Sequence, residues 1–179
     1  SGRRMLWACL RLPSLSLDVF TRALGPADAA RAFAVTTGGH YPRVVVANAA
    51  ADAAAVVPGQ LVSATLALAP DIALRDRDPE LEQAALARVA AWATQFTPSV
   101  SLAPPDAVLA EIGGSLRLFG GLSRLASELA RGAHELGYAT RLALAPTPLA
   151  ALAFARDERG ESAERATAGR SLRNGDGGP

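Results

Sequence analysis

The chain has 179 residues and a mass of 18.4 kDa, which suits one domain, and its 18 basic and 17 acidic residues leave a net charge of +1. Every basic residue is arginine, which excludes a Schiff-base lysine, a phosphate-loop lysine and a kinase-type strand lysine, and the near-neutral balance shows no basic nucleic-acid footprint. One cysteine, Cys9, and two histidines, His40 and His134, exclude a disulfide framework within the chain, a cysteine-based zinc site and a three-histidine zinc site.

Met5 to Leu12 reads as a buried strand ended by Pro13. Leu15 to Leu24 reads as a short helix, with Gly25-Pro26 after its end. Phe33 to Thr36 is a weak strand, and Gly38-Gly39 marks a turn. Arg43 to Ala47 is apolar without interruption and reads as a strand buried on both faces. Alanine-rich Ala49 to Val56 is expected to be helical until Pro58-Gly59, and Gln60 to Leu68 forms another short helix. Asp71, Asp76, Asp78 and Glu80, interleaved with Arg75 and Arg77, read as a solvated connection.

Pro79 to Phe96 is the clearest helix, with Pro79 in its first turn. Leu81, Ala85, Val89, Trp92 and Phe96 form one apolar stripe, while Glu82, Gln83 and Arg88 fall away from it. If Trp92 is fully buried there, truncation to alanine costs about 3–5 kcal/mol. Ser99 to Leu102 and Val108 to Ile112 read as strands, with Leu116 to Phe119 as a hairpin partner between glycine pairs. Leu122, Leu125, Leu129, Ala133 and Leu136 define a second amphipathic helix closed by Gly137. Arg141 to Ala145 is a strand, and Thr147-Pro148 opens a helix through Arg156. Asp157 to Pro179 is polar and glycine-rich and reads as a disordered tail. The pattern predicts an α/β (α+β) domain: a mixed sheet with helices packed on it.

No apolar run reaches membrane-spanning length, and Arg11 and Pro13 break any signal-peptide core, so a reducing, cytoplasmic location is expected. Ser1 to Arg4 reads as an appended remnant or leader ahead of a natural start at Met5. The glycine pairs match no G-x-G-x-x-G or phosphate loop and read as turns. There is no G-x-S-x-G elbow. His40 and His134 read as surface or packing residues, and Cys9 as a small core residue. A two-metal phosphoryl-transfer site needs several converging carboxylates, and the strands are poor in acid: Glu111 is the one strand carboxylate, with Asp106 just ahead of its strand.

Four stretches carry a family resemblance: LWACLRLPSLSLDVF, VVVANAAADAAAVVPGQ, VSLAPPDAVLAEIGGSLRLFGG and LALAPTPLAALAFAR. Over about residues 5–156 they resemble the N-terminal palm and fingers of Y-family (UmuC/DinB-like) translesion DNA polymerases, in particular the ImuB branch. The resemblance implies a palm over about 5–47 and 99–156 and a small helical fingers insertion over about 48–98. It aligns the first-strand metal-binding positions with Cys9 and Arg11, and the second acidic pair with Ala103 and Pro104. It aligns the triphosphate-binding tyrosine and arginine of the fingers with Ala49 and Asp52. These substitutions imply no catalytic residue, no nucleotide site, no metal and no cofactor.

The implied function is a non-catalytic adaptor in damage-induced translesion synthesis and mutagenesis, part of the SOS response. Its implied partners are an error-prone C-family DNA polymerase, a RecA-like accessory protein and the sliding clamp, in a bacterial cytoplasm and at the nucleoid when acting. Family members continue into thumb and little-finger domains, so the chain reads as a truncated product or fragment, with weak DNA affinity at most. Two alternatives stand beside it. One is an active nucleotidyltransferase in which Asp106 and Glu111 take over metal binding; the other is an unrelated α/β enzyme or interaction domain.

Overall fold

A computed structural model describes residues 5–157. The expected leader (1–4) and the expected disordered tail from residue 158 onward lie outside the described residues.

The first sheet is built on β1 (Trp7–Arg11), flanked by β6 (Ala107–Glu111) and β7 (Arg141–Ala145), with β5 (Val100–Ala103) outside β6. All three pairings, β5 with β6, β6 with β1 and β1 with β7, are antiparallel. The second sheet has the order β3-β2-β4: β2 (Phe33–Thr36) runs antiparallel to β3 (Val44–Ala47) and parallel to β4 (Ala73–Asp76). The mixture of strand directions therefore resides in the second sheet.

The helices are α1 (Leu15–Thr21), α2 (Pro26–Ala29), α3 (Ala49–Ala53), α4 (Val62–Leu68), α5 (Pro79–Ala93), α6 (Leu122–Glu135) and α7 (Pro148–Arg156). Strand alternation sends Ala8, Leu10 and Leu12 into the main core with Ala85, Val89 and Ala93 of α5 and Leu125, Leu129 and Ala133 of α6. The opposite face carries Cys9 and Leu109 against Ala151 and Ala155 of α7. A third cluster, around Ala34, Val44, Ala51 and Val56, holds the second sheet.

Local chemistry sets the helix ends. Asp78 accepts from the Leu81 N–H at 3.0 Å with Pro79 following, and Thr147 accepts from the Ala150 N–H at 3.2 Å ahead of Pro148. Gly137 ends the α6 turn at φ 90°. A side chain there would also press on Arg22, whose Cβ lies 2.9 Å from where a new Cβ would stand.

Five sequence expectations need correction. Ala73–Asp76 is a strand, because it pairs with β2 and the Asp76 Oδ1 accepts from the Thr36 hydroxyl at 2.7 Å. Glu82 lies on the buried side of α5, only 4% exposed, and Leu81 is 41% exposed. Arg77 explains this: its Nε and Nη2 reach both Glu82 oxygens at 2.7 Å, which neutralises a charge that the helical pattern places outside. Trp92 is only partly buried, so its truncation falls below the full-burial cost. Leu116–Phe119 forms turns, closed by the Gly121 N–H on the Leu116 carbonyl at 2.8 Å. Finally, β3 is not buried on both faces: Val44 is buried and the other three strand residues are only partly so. β2 and β3 join β4 in a sheet separate from that of β1.

Two outcomes follow from this packing. Gly132 on α6 lies under Trp92, and a Cβ there would stand 2.3 Å from the Trp92 ring. Gly132→Ala is expected to lower stability by about 1–3 kcal/mol despite alanine's better helix propensity, measured by urea unfolding. Asp18, which accepts from the Ala139 N–H at 3.0 Å, has its carboxyl raised by burial from 3.8 to about 6, opposed by that hydrogen bond. The folded chain thus holds the proton more tightly than the unfolded chain, and stability falls as pH rises from 3.8 to about 6. Asp18→Asn keeps an acceptor for Ala139, and thermal melts across this range should show a flatter pH profile with a higher midpoint at neutral pH.

Candidate functional site

Because β1 lies between two antiparallel partners, residues opposite one another share a face. Arg11 stands opposite Ala107 on one side and Arg141 on the other, and Ala103 stands opposite Ala107. Cys9 stands opposite Leu109 and Ala143, one row further in. Cys9, Arg11 and Ala103 therefore lie on one sheet face, the face covered by α7. Pro104 lies past the end of β5, in the turn to β6.

Asp106 is the residue that completes this end of the sheet. Its carbonyl accepts from the Leu12 N–H at 2.7 Å, which fixes it beside the end of β1. Its Oδ2 accepts from the Arg11 Nε at 2.9 Å, with the two side chains 18% and 19% exposed. The other oxygen, Oδ1, is buried without a hydrogen-bond partner, and the Arg156 Nη2 from the end of α7 stands 3.6 Å from it. Two guanidinium groups thus face one carboxylate, while Arg141 in the next strand donates to the Asp157 carbonyl at 3.4 Å. A divalent cation entering here would meet a cationic surplus across a partly dehydrated gap.

Cys9 is fully buried. Burial pushes its thiol up to about 11, assisted by Asp106 and opposed by Arg156 and Arg11. At neutral pH it is a protonated core thiol, neither a nucleophile nor a metal-binding thiolate.

Glu111 lies at the other end of β6, about 16 Å from Asp106 along an extended strand. Its Oε1 accepts from the Leu6 N–H at 3.2 Å and the Gly113 N–H at 2.9 Å, which makes it a brace for the backbone. A strand's length thus separates the two carboxylates that the alternative reading assigns to metal ions. Among the described residues, no group of three or more His, Cys, Asp or Glu side chains converges. His40 and His134 are exposed.

The expected nucleotide positions lie on the second sheet's helix. Asn48 caps α3 by accepting from the Ala51 N–H at 3.0 Å and ties back to the Arg31 carbonyl at 2.7 Å. Ala49 and Asp52 sit exposed in the first turn behind this cap.

Asp106, rather than Ala103 or Pro104, is the acid brought to Arg11. The signal for it was the Pro104-Pro105 break: a strand restarting at Ala107 leaves the preceding side chain at the rim beside β1.

The fold has known counterparts. Residues 23–156 match the family described as "IMS: impB/mucB/samB family", and the chain belongs to that family. Protein ImuB of Caulobacter vibrioides is 35% identical over 99 residues, 55% of this chain and 22% of that protein. DinB from Sulfolobus solfataricus superposes with a TM-score of 0.63 at 14% identity, over 82% of this chain and 44% of that one. A post-insertion binary complex of Dbh DNA polymerase gives 0.65 at 17% identity, over 82% and 44%. The fold is thus that of a Y-family polymerase, and the chain spans under a quarter of the curated relatives' length and under half of the solved chains. Among the described residues no helix is long and apolar enough to cross a membrane.

Breaking the Arg11–Asp106 pair removes the one side-chain hydrogen bond of Asp106 and leaves only Arg156, 3.6 Å away, to balance its charge. Arg11→Ala should therefore cost about 2–4 kcal/mol, with much of the loss recovered in the Arg11→Ala/Asp106→Ala double variant, as read by a double-mutant cycle of urea midpoints.

Proposed function

We propose that this chain is the polymerase-like part of an adaptor in translesion DNA synthesis and that it does not itself transfer nucleotides. The observation that carries this reading is the Arg11–Asp106 pair with Arg156 beside it. Phosphoryl transfer by a palm requires anionic groups that gather divalent cations. Here the central strand offers Cys9 and Arg11, and the one carboxylate at its end is held by arginine. Ala49 and Asp52 add no cation for a triphosphate, and Asp52 would repel one.

On this reading the four-stranded sheet with α5, α6 and α7 is the palm. The three-stranded sheet with α3 and α4 is the fingers, with its boundary ahead of β2 rather than at residue 48. The retained shape serves assembly: an error-prone C-family polymerase, a RecA-like accessory protein and the sliding clamp are the partners that the family resemblance implies. DNA binding by this chain alone is weak, since phosphate neutralisation needs more surface cations than a net charge of +1 supplies. The place of action is the bacterial cytoplasm, at damaged DNA.

Primer extension with magnesium or manganese tests the catalytic half. No template-directed addition above the enzyme-free control is expected, and measurable addition would overturn the reading. In cells, Cys9→Ala in the full-length protein should leave damage-induced mutation frequency unchanged. Collapse of mutagenesis at normal protein levels would assign that position a chemical role.

A further inference from the structure

A cleft of about 350 Å³ opens where the end of α5 meets the Gly113–Gly121 turn and the first half of α6. Its floor is aromatic. The Phe96 ring lies 5.2 Å from Trp92 and 5.3 Å from Phe119, so the floor is anchored in the main core. The turn buries Leu116 and Phe119 in part against that core and leaves Leu118 82% exposed at the lip of the cleft. A lone exposed leucine is ordinary, but one that borders an aromatic-floored cleft extends an apolar patch.

The charges at the rim are unequal. Glu128 lines the cleft, but its carboxylate is engaged by Arg131, which also holds Glu135. Arg124 lines the cleft too, and neither it nor Arg117, the residue before Leu118, has a carboxylate partner among the described residues. The Arg124 stem lies along Gly120, where a Cβ would stand 3.4 Å from its Cδ. The guanidinium is thereby kept beside the apolar floor.

We propose that this cleft docks an acidic segment of another protein, one that places a leucine or phenylalanine on the Phe96–Phe119 floor and a carboxylate on Arg124. Aromatic and arginine side chains are the usual anchors of such contacts. A second copy of this chain fits poorly, because it would bring the same unpaired arginines to the contact. Nucleic acid fits poorly as well, because Arg117 and Arg124 are the two arginines of this rim without a carboxylate partner among the described residues, too few to track a phosphate backbone. The proposal is independent of whether the palm turns over nucleotides.

The test is selection of displayed random dodecapeptides on the wild-type chain, with counter-selection on Leu118→Asp. Leu118 and Arg124 are exposed, so their variants are expected to fold, with thermal melts as the check. The expected outcome is enrichment of peptides with aspartate or glutamate close to leucine or phenylalanine. For a synthesised winner, Leu118→Asp weakens binding about tenfold or more by fluorescence anisotropy, and Arg124→Glu shifts preference to the lysine-substituted peptide. Three results would overturn the proposal: no Leu118-dependent enrichment, winners without acidic residues, or a sedimentation dimer abolished by Leu118→Asp. The last would make a second copy the occupant.

Discussion

The position of β1 between β6 and β7 constrains everything else in the described chain. An antiparallel central strand gives two faces with opposite duties, and a one-residue slip would exchange them. One face buries Ala8, Leu10 and Leu12 under α5 and α6 and supplies the stability. The other presents Cys9 and Arg11 to α7 and supplies whatever chemistry the sheet has. The ion pair of Arg11 with Asp106 closes the end of this second face and ties β1 to the turn that leads into β6.

That pair bears on function through charge. A carboxylate at the end of a central strand is a natural first ligand for a divalent cation. With Arg11 on one oxygen and Arg156 close to the other, its field is already compensated by groups that cannot diffuse away. The same arginines help join β1, β6 and α7 into one unit. On the proposed reading, a polymerase-like shape persists on the strength of its packing while two guanidinium groups offset the one carboxylate at the end of the central strand.

Periodicity made most elements readable. Phe33–Thr36, Arg141–Ala145 and Pro148–Arg156 have the bounds that alternation, a glycine turn and a Thr-Pro cap indicate. The failures share a cause: each turned on whether a partner outside the element itself was present. Ala73–Asp76 has a charged sequence and becomes a strand because β2 offers it a parallel edge. Glu82 turns inward because Arg77 follows it there. Leu116–Phe119 has the composition of a hairpin strand, but no strand lies beside it. In the candidate site, Cys9 and Arg11 came from the family resemblance of the opening strand, whereas Asp106 drew notice as a carboxylate ahead of its strand and, with Glu111, as an alternative metal ligand, not as the partner of Arg11.

The sequence by itself determined the class of fold, the family likeness and the scarcity of acid on the strands, because these follow from residue type and local spacing. Only the tertiary structure decided which face Cys9 and Arg11 share, that Asp106 meets Arg11 and that Glu111 stands too far away to join it. Register is the physical reason. Pairing between strands separated by about a hundred residues sets which side chains meet, and one strand's pattern carries no information about where its partner begins.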